Sequence, residues 1–201
     1  MKIDFPEINN ISVSVDDAAY FLGYGKLHRP EEPILSMINS SINQMKNVVN
    51  PKACAEFFDL TVEGDLIQFA DLKFNSKDLS KNLKNCSKIV LAAITVGSQV
   101  DYLIRKTQIQ DSAKASVMQA VGAAFAENTI ETLNTVISQL AEQNGFKTHP
   151  RYSPGYGDVP LSFQKEFFRL LPCTKIGLTL MKTLIMAPEK SVTAFIGIEK
   201  I

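Results

Sequence analysis

Residues 111–144 read DSAKASVMQAVGAAFAENTIETLNTVISQLAEQN, a proline-free stretch in which the side chains suited to a core recur every three or four positions. These side chains are Met118, Val121, Phe125, Thr129, Leu133, Val136 and Leu140. The spacing places them on one face of an α-helix. Gly145 follows directly, and glycine is a common residue at the end of a helix. The sequence therefore predicts one long helix over residues 111–144.

The first half of this predicted helix is rich in small residues, and Gly122 lies among them. A glycine inside a helix costs about 1 kcal/mol relative to alanine, because it loses more backbone freedom on folding. We therefore expect a close neighbour at Gly122, either another backbone or a ligand. Close packing on a sheet is the simplest form of this contact.

The residues before the long helix predict strands of a sheet. Residues 88–96 form a continuous apolar run that ends at Gly97, which indicates a buried strand leading into a helix over residues 99–106. Residues 53–74 are rich in aromatic and aliphatic residues and are interrupted at Gly64. This interruption suits a tight turn, so we expect one antiparallel strand pair there.

Helices are predicted elsewhere from the spacing of apolar residues and from residues that cap or start helices. They cover residues 15–20, 31–48, 77–83 and 161–171. Residues 176–186 and 191–198 are two further apolar segments, which we expect to form a β-hairpin. No linker, repeat or block of charge divides the chain. We therefore predict a single α+β domain over residues 1–201, with a twisted, largely antiparallel sheet flanked by helices and one long central helix.

The composition is that of a globular chain without a preference for polyanions. Hydrophobic residues make up 45% and charged residues 21%, and the 21 lysines and arginines balance the 21 aspartates and glutamates. This balance argues against nucleic acid and anionic membranes as partners. The longest apolar run is far shorter than the roughly 20 residues that cross a bilayer, and the N-terminus lacks the layout of a secretory signal. We expect a cytoplasmic protein.

The sequence contains no recognisable catalytic or metal-binding pattern. Cys54, Cys86 and Cys173 are widely spaced, and His28 and His149 have no metal ligand at a suitable helical spacing. The chain also lacks the G-x-S-x-G elbow of many hydrolases and the glycine-rich patterns that cradle phosphates. We therefore expect no metal, no catalytic residue, reduced structural cysteines and a solvated His149.

The loop over residues 151–160, RYSPGYGDVP, holds two prolines and two glycines. Proline fixes φ and glycine frees it, so such a loop follows a specific path. Arg151 offers a planar fork for a carboxylate, and Tyr156 offers a ring face and a hydroxyl group. Gly155 and Gly157 let backbone groups approach a ligand closely. These are parts of a small-molecule site, although the residues alone leave equally open that Arg151 pairs with a surface acid and the loop only turns the chain.

Several motifs in the last third of the sequence resemble a known family. Residues 151–164 follow the pattern R-x-S-P-G-Y-G-D-x-P-L-x-x-Q, residues 176–177 are I-G, and residues 186–194 follow M-x-P-x-K-S-V-T-A. Together they resemble the activation domain of cobalamin-dependent methionine synthase, in its small stand-alone form. The resemblance extends more loosely upstream to the long helix and so covers most of the chain. It implies the fold of that domain.

The resemblance implies a stand-alone reactivation subunit that binds S-adenosylmethionine and takes part in methionine biosynthesis. In the family, an electron reduces cob(II)alamin and S-adenosylmethionine supplies the methyl group. The implied partner is a cobalamin-dependent methionine synthase without its own activation domain, which carries the cobalamin (vitamin B12). The implied reductant is a flavodoxin-like protein. The chain would then be an accessory component of a methyltransferase, with no catalytic nucleophile of its own.

The resemblance also implies the binding residues. The family signature R-x-x-x-G-Y falls on Arg151, Gly155 and Tyr156. In the family, this arginine binds the methionine carboxylate and the loop backbone helps to hold the nucleoside. The implied cofactor-binding residues are Arg151, Ser153, Pro154, Gly155, Tyr156, Gly157 and Glu127.

Two positions depart from the family pattern. Lys182 stands where the family commonly has an acid, and Ala123 stands at the place of an acidic ligand contact in the long helix. Glu127 lies one turn later and can substitute for that contact. These departures support an alternative, a docking module for a corrinoid protein that has the same fold and has lost S-adenosylmethionine binding. A third hypothesis, an independent S-adenosylmethionine-dependent methyltransferase, lacks a Rossmann-type glycine loop and a candidate base.

Overall fold

An antiparallel sheet of six strands forms the centre of the protein. The computed structural model describes residues 5–25 and 28–201 of the chain. Strands β1 to β8 are Lys52–Glu63, Leu66–Phe69, Leu72–Asn75, Cys86–Thr95, Phe146–Thr148, Thr179–Leu180, Met186–Ala187 and Ser191–Lys200. The order across the large sheet is β3-β2-β1-β4-β8-β5, and each neighbouring pair is antiparallel. The strands β6 and β7 pair with each other in a separate two-stranded sheet.

Six α-helices are present in the described residues. Helices α1 to α6 are Val15–Phe21, Glu32–Lys46, Lys77–Asn82, Ser98–Gln110, Ser112–Glu142 and Gln164–Leu170. Three short 3₁₀ helices cover Pro6–Asn10, Leu161–Phe163 and Cys173–Ile176. Helix α1 begins with a capping box of Ser14 and Asp17, in which each side chain accepts a hydrogen bond from the backbone N–H of the other residue. None of the helices in these described ranges is long and apolar enough to cross a lipid bilayer.

The large sheet separates two apolar cores, because successive side chains of a strand point to opposite faces. On β4, Val90, Ala92 and Ile94 belong to the core that is shared with α1, α2, α4 and α5. Ile89 and Leu91 point the other way, into the core that is shared with α3 and α6. All five side chains are fully buried. Burial on both faces explains why β4 reads as a continuous apolar run rather than as an alternating one.

The predicted fold class and most of the predicted elements are confirmed. The sheet is antiparallel and flanked by helices, and the long predicted helix is α5. The buried strand predicted at residues 88–96 is β4, and the helix that follows it is α4. The helix predicted over residues 161–171 divides into a 3₁₀ turn and α6.

Two predictions about strands are wrong. Residues 53–74 lie in three strands rather than one pair, since a second turn lies between β2 and β3 with Ala70 at a φ of +51°. That turn contains neither glycine nor proline, the strongest turn signals in a sequence. The hairpin predicted for residues 176–186 and 191–198 is also wrong. Strand β8 pairs instead with β4 and β5, which bury it, while the earlier segment folds on itself as β6 and β7.

Gly122 lies where α5 packs against α4 and against the segment that leads into β8. A Cβ atom at Gly122 would lie 3.2 Å from Lys190 Cε and 3.3 Å from Val100 Cγ1. The close neighbours are therefore side chains, which corrects the expectation of another backbone or a ligand. The absence of a side chain at Gly122 lets the aliphatic stem of Lys190 cross the helix at close range.

Candidate functional site

The site loop, residues 151–160, leaves the edge strand β5 and continues along β8. Thr148 pairs with Ile198, and Tyr152 exchanges two backbone hydrogen bonds with Phe195, with N···O distances of 3.0 and 2.7 Å. Between these two attachments the chain on the β5 side advances by four residues, while β8 advances by three. The extra residue forms a β-bulge just before Tyr152. Bulges redirect the side chains of a strand.

Arg151 lies in this bulge, directly after Pro150, which has no N–H to donate to the strand ladder. Its guanidinium contacts two glutamates that lie one turn apart on α5. Nε and Nη2 donate to Glu131 Oε2 at 3.2 and 2.8 Å, and Nη2 also donates to Glu127 Oε1 at 2.6 Å. The side chain of Arg151 is only 18% exposed. Arg151 thus joins the loop to the middle of the long helix.

The two glutamates keep Arg151 charged although it is largely buried. Burial by itself lowers the pKa of the guanidinium, but the hydrogen bonds and charges of Glu127 and Glu131 outweigh burial and raise the pKa above its ordinary value. Arg151 therefore remains a cation throughout the physiological pH range. It can pair with a carboxylate supplied by a ligand, provided that the glutamates leave part of the fork accessible.

Hydrogen bonds give the rest of the loop a fixed path. The hydroxyl group of Tyr152 donates to the carbonyl oxygen of Tyr156 at 3.0 Å. Ser153 Oγ donates to the carbonyl oxygen of Thr193 on β8 at 2.7 Å. Gly155 has a φ of +94°, which a residue with a side chain rarely adopts. The loop thus has the defined path that its prolines and glycines predict.

The end of the loop is fixed to the N-terminus of α3. The carboxylate of Asp158 accepts hydrogen bonds from Ser76 Oγ at 2.5 Å and from Lys77 N at 2.6 Å. The Ser76 hydroxyl is the main cause that holds the pKa of Asp158 below its ordinary value. Gly157 has a φ of +50°, and a Cβ atom there would lie 2.7 Å from Asp78 Oδ2. The contact between Asp158 and Ser76 has no local signal in the sequence, because the two residues are 82 positions apart.

A cavity of about 710 Å³ lies between the site loop, α5 and the start of β8. Five of the seven residues predicted to bind a cofactor line it, namely Glu127, Arg151, Ser153, Pro154 and Tyr156. The other two, Gly155 and Gly157, belong to the same loop and are not among the lining residues. Glu131 and the buried Gln164 also line this cavity, and neither was predicted. The cavity therefore brings together most of the predicted site.

A second cavity, of about 870 Å³, adjoins the first and shares Glu127 and Tyr156 with it. Asp16 and Asp17, from the first turn of α1, also line this second cavity. They bring negative charge from an early part of the chain to the middle of α5, and Arg29 brings positive charge to the same cavity. The sequence has no signal for this arrangement, since neither aspartate belongs to a motif and both reach the site only when α1 packs on α5.

The two positions that depart from the family pattern lie apart from these cavities. Ala123 is half-buried on α5, and Lys182 is exposed in the connection between β6 and β7. Neither is among the residues that line the two cavities. The glutamate one turn after Ala123, Glu127, does line them. Helix α5 therefore presents a carboxylate to both cavities at Glu127.

His149, which precedes the loop, is half-buried, and this corrects the prediction of a solvated residue. Its Nδ1 lies 2.6 Å from the carbonyl oxygen of Asn82, and its Nε2 lies 2.7 Å from Glu199 Oε2. Hydrogen bonds from His149 and Lys147 hold the pKa of Glu199 below its ordinary value. These contacts fasten the chain after β5 both to β8 and to the end of α3.

The three cysteines are free and buried, as expected for structural residues. Burial raises the pKa of Cys86 to about 11, so this thiol stays protonated and unreactive. Among residues 5–25 and 28–201, no group of three or more histidine, cysteine, aspartate or glutamate side chains is placed to hold a metal ion.

One comparison with known proteins bears on the fold. No protein-family model and no curated protein matches the sequence. Among solved structures, the chain is similar to the MetH reactivation domain bound to AdoHcy, with a TM-score of 0.66 and 17% sequence identity. The match covers 89% of this chain and 68% of the other. The chain therefore has the fold of the MetH reactivation domain, as the resemblance of its motifs predicts.

Proposed function

We propose that this protein binds S-adenosylmethionine and supports the reductive reactivation of a cobalamin-dependent methionine synthase that lacks its own activation domain. One observation carries the proposal. Arg151, at the head of the R-x-x-x-G-Y signature, lines a cavity of ligand size in a chain whose fold is that of a reactivation domain solved with AdoHcy. AdoHcy is S-adenosylmethionine without its sulfonium methyl group, so the two molecules share their headgroup and their nucleoside.

The residues around the cavity fit such a ligand. The volume of about 710 Å³ lies within the range of about 300–1,000 Å³ that is usual for small-molecule sites. Arg151 offers its fork to the amino-acid carboxylate, and Tyr156 offers a ring face to the nucleoside. Glu127 brings negative charge to a ligand whose ammonium and sulfonium groups are both cationic.

The task of the chain in this proposal is binding and orientation. When bound, S-adenosylmethionine supplies an electrophilic methyl group whose leaving group is a neutral thioether, so no general acid is needed. The partner's cobalamin, once a separate flavodoxin-like reductant has supplied one electron, would accept this methyl group. The hydrogen-bonded path of residues 151–158 holds the headgroup in one place, which lowers the entropic cost of presenting the methyl group to the partner.

Calorimetric titration with S-adenosylmethionine tests the binding. Arg151→Ala removes a charge-assisted pair worth about 1.5–3 kcal/mol, so Kd should rise roughly 10- to 150-fold. Arg169→Ala is the matched control, because Arg169 also pairs with two acids, Asp71 and Glu166, and lines neither cavity. This control should bind as the wild type does. Equal affinities of wild type and Arg151→Ala would remove Arg151 from the site.

The reactivation assay needs the partner. A methionine synthase truncated before its activation domain, in the cob(II)alamin state, is mixed with a reductant and S-adenosylmethionine, and the loss of cob(II)alamin absorption is followed. The wild-type protein should restore methylation. At limiting S-adenosylmethionine, Arg151→Ala should slow the reaction and Arg169→Ala should not. Failure of a protein that binds S-adenosylmethionine to restore methylation would refute the partner role.

The pairing of Arg151 favours a second candidate function. Glu127 and Glu131 already neutralise the guanidinium, so the chain can keep its fold without a bound carboxylate. Such a protein would dock on a corrinoid protein and would not bind S-adenosylmethionine. The titration above separates the two candidates: a docking module gives no heat with S-adenosylmethionine but still forms a complex with the cobalamin-loaded partner.

A further inference from the structure

We infer that the two glutamates on Arg151 have different roles. Glu131 positions the guanidinium, and Glu127 is an exchangeable counter-ion that makes the site selective for a zwitterionic amino-acid headgroup. The inference rests on the proposed function and deepens it, because it says how the site distinguishes ligands that all carry a carboxylate. Glu131 acts only through Arg151 and is a positioning residue.

The guanidinium of Arg151 can bind a carboxylate along two edges, a side edge formed by Nε and Nη2 and an end edge formed by Nη1 and Nη2. The two edges are occupied differently. Nε and the adjacent proton of Nη2 both donate to Glu131 Oε2, at 3.2 and 2.8 Å, so Glu131 fills the side edge. The other proton of Nη2 is left for Glu127 Oε1, at 2.6 Å. Within residues 5–25 and 28–201, Nη1 has no hydrogen-bond acceptor. Glu127 therefore covers only half of the end edge.

This occupancy determines which of the two glutamates a ligand carboxylate displaces from Arg151. A carboxylate binds arginine best through two parallel N–H bonds, and the end edge of Nη1 and Nη2 can be completed without moving Glu131. A ligand carboxylate that takes Nη1 and Nη2 replaces Glu127 on the guanidinium. Because one carboxylate is exchanged for another, the largely buried charge of Arg151 is paired before and after binding.

The displaced Glu127 then needs a cation. Its side chain lines both cavities, whereas Glu131 lines only the cavity that Arg151 lines. In an α-amino acid the ammonium group is attached to the carbon next to the carboxylate. The carboxylate of one headgroup can therefore displace Glu127 from Arg151, while its ammonium group becomes the new cationic partner of Glu127. A carboxylate ligand without an ammonium group would leave Glu127 unpaired beside a second negative charge.

The test compares two thioethers that differ only in the ammonium group, AdoHcy and its analogue with hydrogen in place of the α-amino group. The wild-type protein should bind AdoHcy more tightly than the analogue by roughly tenfold or more, the usual effect of one charge-assisted pair. In Glu127→Gln this preference should fall to about one, since the analogue gains access to Arg151 while AdoHcy loses its ammonium partner.

The Glu131 variants should behave differently. Glu131→Gln should weaken both thioethers by a similar factor and leave the preference between them unchanged, because Arg151 is then less well positioned for either carboxylate. Glu131→Asp, which keeps the charge, should restore part of the affinity. The matched control is Glu166→Gln, since Glu166 accepts from Arg169 Nε at 2.8 Å in a comparable pair. That control should change neither affinity nor preference.

The outcomes separate this inference from the proposed function. Melting temperatures establish that each variant is folded before its affinities are compared. If the preference for AdoHcy survives in Glu127→Gln, or if Glu131→Gln changes the preference rather than the overall affinity, the two roles are assigned wrongly while cofactor binding stands. If the wild-type protein binds neither AdoHcy nor S-adenosylmethionine, the proposed function and this inference fail together.

Discussion

Gly157 has less room for a side chain than Gly155, the other glycine of the site loop. Its φ of +50° is left-handed, and an added Cβ atom would clash with the hydroxyl oxygen of Tyr152 and lie 2.7 Å from Asp78 Oδ2. We expect Gly157→Ala to lower the free energy of unfolding by about 1–3 kcal/mol and to weaken S-adenosylmethionine binding, because the loop must move away from both side chains. Gly145→Ala is the control, since Gly145 has a φ of +78° but an added Cβ would meet no described atom within 4 Å. If Gly157→Ala and Gly145→Ala lose the same stability, the left-handed φ explains the loss and the clash at Gly157 contributes nothing.

Asp158 makes stability depend on pH in acid. Its pKa is lowered in the folded protein, chiefly by the Ser76 hydroxyl, so its stabilising contribution is present above the ordinary aspartate pKa and is lost as pH falls through the lowered value. Asp158→Asn should therefore flatten the loss of stability below about pH 4. Denaturant unfolding across this range measures the slope. Asp59→Asn, at an exposed aspartate paired with Lys88, should keep most of the wild-type slope.

Single residues of the site could be predicted where their chemistry is visible locally. The loop composition was enough to select Arg151 and Tyr156. It could not select Glu131 or Asp158, because an acid on a helix face or in a turn has many ordinary uses. Their roles arise only when α5 and α3 pack beside the loop, which fixes partners far apart in the sequence.

Strand β8 carries a glycine, Gly197, because a side chain there has no space. An added Cβ atom would lie 2.7 Å from Cys86 Sγ and 2.9 Å from Leu83 Cδ2, and both side chains are buried. We expect Gly197→Ala to cost about 1–3 kcal/mol of stability, as overpacking usually does. Gly25→Ala should cost less, because its added Cβ would meet no described atom within 4 Å. Thermal unfolding of both variants tests this, and equal melting temperatures would contradict the packing argument.

Elements were predictable to the extent that their signals are local. Helix α5 shows its period in its own sequence, and Asp111 caps it by accepting from Lys114 N at 2.9 Å. Strand β5 has only three residues and was not predicted, since it pairs with a strand about fifty positions later. The predicted hairpin of residues 176–186 and 191–198 is wrong for a related reason. Proximity in sequence suggested that the two segments pair with each other, whereas β8 is buried on both faces between β4 and β5.

Ligand binding should stabilise the whole molecule, because the site loop is attached to β8, α3 and α5 at once. A ligand that binds only the folded protein adds about 2.7 kcal/mol at a concentration 100 times its Kd. We expect S-adenosylmethionine to raise the melting temperature of the wild type and of Arg169→Ala by several degrees. At the same concentration the shift should be much smaller in Arg151→Ala. An equal shift in that variant would place the ligand elsewhere on the protein.

The bulge between Thr148 and Tyr152 decides which side of the sheet edge Arg151 faces. Without it, a regular ladder continued from the pair of Thr148 and Ile198 would place Arg151 opposite Phe195, whose side chain points into the core that is shared with α3 and α6. Arg151 would then face α3, and the acids of α5 would face water. One irregular position in an edge strand thus selects the charges that surround the guanidinium.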